Sequence, residues 1–132
     1  MKSMLAKIHV GLAWVIVAVV IAQFFLAGLG IFGATGFGAH RGTGYLAIGL
    51  ALVLVLLALA GWVGSLRIGL SALLLVLVII QSLLPKGPSL VAALHPVNAL
   101  LILGVAVALA QPGAVIGTRS RSANPAPNLE GR

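Results

Sequence analysis

The sequence predicts an all-α integral membrane protein, a four-helix bundle built from two tandem helical hairpins. Three observations carry that prediction. Of the 132 residues, 61% are hydrophobic and 7% charged, whereas a soluble domain carries about 25% charged residues, so lipid must be the solvent. Four apolar stretches, 9–33, 41–64, 66–84 and 93–111, each approach the about 20 residues needed to cross a hydrocarbon layer of about 30 Å. The chain also repeats itself. Val20-Ile21-Ala22-Gln23-Phe24-Phe25-Leu26 returns as Val78-Ile79-Ile80-Gln81-Ser82-Leu83-Leu84. Each copy is followed by a loop, a histidine and a run in which Leu46, Gly49 and Ala51 match Leu101, Gly104 and Ala106.

The first stretch is too long for the apolar core of a signal peptide and has no convincing small-residue cleavage site, so it is expected to remain as a helix. Gly30, Gly33, Gly36 and Gly38 loosen the connection to the second. Gly64-Ser65-Leu66-Arg67 makes a tight link to the third, which Pro85-Lys86-Gly87-Pro88 stops. Pro96 suits the first turn of the fourth, where a missing N–H costs little. Gln111-Pro112-Gly113 ends it. Residues 1–111 thus form the membrane domain, and 112–132, rich in Ser, Asn, Pro and Arg, form a polar tail expected to be disordered.

Positive charge sets the expected orientation. With both termini cytoplasmic, Lys2, Lys7, Arg67, Arg119, Arg121 and Arg132 lie inside, and only Arg41 and Lys86 lie outside. A bacterial cytoplasmic membrane is the expected setting and the lipid bilayer the first partner. The net charge of +7 is scattered singly over loops and termini, as topology-setting charge is, and nucleic acid is not an expected partner.

Short loops make successive helices antiparallel neighbours. His40 and His95, each opening the second helix of its hairpin, then share one depth toward the extracytoplasmic face. An ionisable residue inside a membrane is a functional hypothesis by default. Two at equivalent positions can reach one metal from opposite sides, and the expected metal is haem iron. Interhelical hydrogen bonding by both histidines is the plainer alternative. Gly44 and Ala99, each four residues further along its helix, leave room for a flat macrocycle, or simply for close helix packing. Ala47 and Ile102 follow on the same faces. Arg41 is the leading partner for haem propionates because its guanidinium donates a planar fork of hydrogen bonds. Lys86 is the second, although both also suit interfacial anchoring. Gln23 and Gln81 are expected to support the histidines, through a ring N–H, a propionate or the facing helix backbone. Asn98 has a similar standing. His9, equivalent to Arg67 in the repeat, lacks a histidine partner and is expected to anchor at the interface. Trp14, Trp62 and Tyr45 are expected to serve as interface or packing aromatics.

Absences narrow the chemistry. With no cysteine, disulfides, thiolate-ligated or covalently attached haem and iron–sulfur clusters are excluded. Glu130 is the only acidic residue, so a carboxylate relay inside the membrane has nothing to use. Two histidines without Cys, Asp or Glu do not make an ordinary zinc site.

His40-Arg41-Gly42-Thr43-Gly44 and Leu94-His95 resemble one four-helix half of haem A synthase, over about residues 9–110. The wider cytochrome b561-like architecture is similar. The resemblance implies that His40 and His95 are the ligand pair. Haem A synthase has two such halves and a glutamate three residues before its second-helix histidine, where this chain has Phe37; the outer-loop cysteines of many such enzymes are also missing. Haem A synthase activity is therefore not expected. The expectation is a b-type cytochrome with one haem b per chain, for electron transfer with a quinol or a periplasmic redox protein, as a homodimer or as a subunit of a redox complex. The alternative is a cofactor-free accessory or assembly subunit, or a protein that handles haem or another tetrapyrrole.

Overall fold

The computed structural model describes residues 1–111; the tail expected over 112–132 lies outside the described residues. The elements are α1 (Lys2–Ile31), α2 (Gly38–Gly61), α3 (Ser65–Leu83), a 3-10 turn (Leu84–Lys86), the single-turn α4 (Ser89–Ala92) and α5 (His95–Ala110). Four spans, Lys2–Ile31, Gly38–Gly61, Ser65–Lys86 and Ser89–Ala110, are long and apolar enough to cross a membrane. The protein is a multi-pass, all-helical membrane protein, and there is no strand among the described residues.

The segments expected at 41–64 and 93–111 are shifted by a few residues. Gly38-Ala39 already belong to α2, and Ser89–Ala92 make a separate turn before α5. Glycine and proline punctuation marks a loop but not the residue where hydrogen bonding resumes. The tight link between the second and third spans lies at Trp62-Val63-Gly64, with Ser65 already helical. Trp62 closes α2 in the left-handed conformation, φ 48°, and donates its N–H to Ala58 and Leu59 oxygens.

Helix neighbours are α1 with α2, α2 with α3, α3 with α5 and α5 with α1. The bundle is thus a square in which α1 faces α3 and α2 faces α5 across the diagonals. Lining the centre are Ala47, Ala51, Leu54 and Ala58 on α2 and Ser71, Leu74 and Val78 on α3. Ala13, Ile16, Val17 and Val20 on α1 and Ile102, Ala106 and Leu109 on α5 complete it. The alternating steps of three and four along α2 and α3 give left-handed bundle packing. Lipid is as apolar as leucine, so close packing of these side chains, rather than exclusion from water, holds the helices together. The outward face is continuous hydrocarbon, from Ile21 and Phe25 on α1 to Leu100 and Leu101 on α5.

The two ends differ in charge. One carries Lys2, Lys7 and Arg67, with the Lys2 ammonium 5.5 Å from the centre of the Trp62 ring. The other carries Arg41 and Lys86 and, between them, the paired histidines.

Candidate functional site

His40 lies in the first turn of α2 and His95 is the first residue of α5, so they approach from diagonally opposite helices. Their ring centroids are 6.0 Å apart, with the planes inclined by 64°. His40 Nδ1 is 3.2 Å from the backbone oxygen of Gln23 on α1, and His95 Nδ1 is 3.1 Å from that of Gln81 on α3. A carbonyl oxygen can only accept, so in both rings Nδ1 carries the proton. In the neutral rings both Nε2 atoms are therefore bare lone pairs. Each repeat thus ties its histidine to the backbone of its own glutamine, and the pair is related by the pseudo-symmetry of the duplication.

The sequence left the role of the glutamines open, and the structure divides it. Their backbone carbonyls, not their side-chain amides, take the ring N–H groups. The Gln81 side chain serves the backbone of the facing helix, donating through Nε2 to the His95 oxygen at 3.0 Å. Its Oε1 accepts from Asn98 Nδ2 at 2.7 Å, and Asn98 also donates to the Leu77 oxygen at 2.9 Å. The first repeat has no such brace. Thr43, the counterpart of Asn98, turns its hydroxyl to Ala39 O at 2.7 Å, and Gln23 Oε1 is buried without a partner.

The histidines open onto a cavity of about 360 Å³, in the range of sites for small organic ligands and cofactors. Eight residues expected at the site from the sequence line it: His40, His95, Arg41, Gly44, Ala99, Lys86, Gln23 and Gln81, while Asn98 does not. Gly44 packs close to α1, since a Cβ there would sit 3.1 Å from Gln23 Nε2. Ala47, Ile102, Val20 and Val78 form an apolar floor. The last two were missed in the sequence, although both stand three residues before the repeated glutamine, a spacing that shares a helix face. Tyr45, expected as an interface or packing aromatic, lines the cavity with Ser82 and Pro85. Arg41, Tyr45, Pro85 and Lys86 are exposed, which puts the mouth between α2 and α3. The chain's single acidic residue is at position 130, so neither basic side chain has a carboxylate partner among the described residues.

His9 is not the expected interfacial anchor. It is fully buried, with Nε2 3.0 Å from Ser71 Oγ. Ser71 gives its one proton to Arg67 O at 2.8 Å, so it accepts from His9 Nε2–H, and His9 Nδ1 remains a buried acceptor without a partner. Arg67, expected as an interfacial loop charge, is buried and donates to Gln111 O. These groups tie α1, α3 and the end of α5 together at the end of the bundle opposite the paired histidines. Fourteen residues of helix separate His9 from Gln23, about 21 Å at 1.5 Å per residue.

Among the described residues no cluster of three or more His, Cys, Asp or Glu can hold a metal ion. A metal at His40 and His95 would need its remaining ligands from elsewhere, which a macrocycle supplies. With metal–nitrogen bonds of about 2.0–2.1 Å, a metal held between two imidazoles sets their centres roughly 6 Å apart, close to the spacing found. Fold and site together define a multi-pass membrane bundle with a backbone-oriented histidine pair at one end of a cavity. Residues 23–87 match a family described as of unknown function, DUF6220. The match takes in His40, Gln23 and Gln81 and stops short of His95. No curated protein and no solved structure matches the chain.

Proposed function

We propose that the protein is a membrane-embedded b-type cytochrome that binds one haem b between His40 and His95 and serves one-electron transfer. The observation that carries this reading is the pair itself. Two imidazoles from diagonal helices stand 6.0 Å apart, both with Nδ1–H tied to a carbonyl and Nε2 left as a lone pair. Fixing one ring nitrogen as a donor is how proteins orient and strengthen a ligating histidine. The cavity fits a flat apolar ring better than a bare ion, because its floor is aliphatic and its only charges stand at the mouth. Arg41 and Lys86 there are suited to two carboxylates, as haem propionates are.

When bound, such a group would supply redox-active iron held by His40 and His95, and two imidazole donors would favour electron transfer over oxygen chemistry. The chain's own residues orient the rings, exclude lipid from the centre and place cations at the mouth. Electron partners of the right kind are a membrane quinol or a redox protein at the extracytoplasmic surface. The charge distribution supports termini on the cytoplasmic side of a bacterial membrane.

Protein purified in detergent is expected to be red, with a Soret band that sharpens and shifts on dithionite reduction. Colourless protein that takes up no added haemin would contradict the proposal and favour a cofactor-free assembly subunit.

A further inference from the structure

The two halves of the site match in position but not in how they are anchored, and three features set them apart. The first is the carbonyl each ring binds. Gln23 lies within the unbroken α1 ladder, so its oxygen already accepts from the N–H of Ala27 and His40 shares it. Four residues beyond Gln81 stands Pro85, which has no N–H, while the N–H of Leu84 goes to Ile80 O. His95 therefore takes a carbonyl that the helix itself leaves free.

The second feature is the amide brace. Gln81 and Asn98 lock the start of α5 to α3 through the bonds to His95 O, Gln81 Oε1 and Leu77 O. Around His40 the equivalent brace is absent, since Thr43 bonds Ala39 within its own helix and Gln23 Oε1 is left unpartnered. The third is the backbone. Gly38, Gly42 and Gly44 fall within the first seven residues of α2, where each weakens helix formation. By contrast, α5 begins His95-Pro96-Val97-Asn98, with proline pre-set for a first turn.

We infer that His95 is the fixed ligand of the pair and His40 the releasable one, so that a small neutral molecule can replace His40 at the bound group. This rests on the haem proposal. In such an exchange the metal's bond to His40 Nε2 breaks as a bond to the incoming donor atom forms, with no change in electron count. The displaced imidazole keeps Nδ1–H on Gln23 O or swings toward the mouth with the start of α2.

The test has two arms. In haem-free protein labelled with ¹⁵N-histidine, both rings are expected to favour the Nδ1–H tautomer, His95 fully and His40 with an admixture of the other. Gly42→Ala, whose added Cβ meets nothing within 4 Å, and Thr43→Asn, which restores the missing amide, should each move His40 toward the single tautomer. Equal tautomer order in the two rings, or greater disorder at His95, overturns the inference whether or not haem binds.

In haem-loaded protein reduced with dithionite, carbon monoxide is the probe. It is expected to shift the Soret band of the wild type, and roughly fivefold more slowly in Gly42→Ala. His40→Ala should keep haem and bind carbon monoxide at once, while His95→Ala should lose haem. No reaction of the wild type with carbon monoxide, or retention of haem by His95→Ala but not by His40→Ala, contradicts the assignment. Protein that takes up no haem fails the cytochrome proposal instead.

Discussion

Asn98 shows how much of the site depends on one polar atom. Its amide nitrogen reaches both Leu77 O and Gln81 Oε1, and through Gln81 it holds the backbone at His95. Asn98→Leu keeps the branched shape and removes the donor, leaving the half-buried Gln81 Oε1 unpaired. Such a loss costs about 1–3 kcal/mol. A lower melting temperature of the detergent-solubilised protein is expected, together with weaker haemin binding. A Gln23→Leu variant removes an acceptor that is already unpaired, so it should cost far less stability. Equal losses in the two variants would show that the brace is not specific to the second repeat. The histidines themselves were legible in the sequence, because duplication gave each a counterpart. What residue types alone did not reveal was which atoms of the glutamines mattered. A repeated Gln advertises its amide, whereas the carbonyl that orients each ring belongs to the backbone and would be present with any residue there.

At the scale of elements, the helices are separated by what each face touches rather than by polarity. Leu54 is fully buried between α2 and its neighbours, while Leu56, two residues on, is 55% exposed. Leu54→Ala opens a hole that the packed centre fills only in part, a loss of contacts worth about 2–3 kcal/mol. Leu56→Ala exchanges contacts with lipid for other contacts with lipid and should be near neutral. Unfolding of the two variants in mixed micelles checks this contrast. At the other end of the bundle, Ser71→Ala strips His9 Nε2–H of its acceptor and is expected to destabilise by about 1 kcal/mol without changing any haem spectrum. The number and order of the spans could be read from apolar length and from glycine and proline breaks. The inward faces could not, since apolar residues encircle α1 and α5 and lipid removes the polar side that would mark an amphipathic helix. For the same reason His9 looked like an interfacial residue. Nothing local signals that Ser71, sixty-two positions away, meets it across the diagonal.

For the whole molecule, duplication and charge make a consistent frame. Two hairpins related by a pseudo-two-fold axis put the histidines on one diagonal and their supporting glutamines on the other, at the end that carries Arg41 and Lys86. Lys2, Lys7 and Arg67 gather at the opposite end, and the proposed orientation, with the termini inside, would put the histidine end outside. The absence of native cysteine makes this directly testable. In intact cells a membrane-impermeant maleimide should label Pro88→Cys and leave Ser65→Cys untouched until the membrane is opened; the reverse pattern would invert the topology. Titration of haem-free protein with haemin reads the histidine pair itself. Saturation at one haemin per chain with a six-coordinate, low-spin spectrum is expected, with loss of that low-spin species in the His40→Ala/His95→Ala double variant. The same low-spin titration curve in that double variant would contradict ligation by the pair.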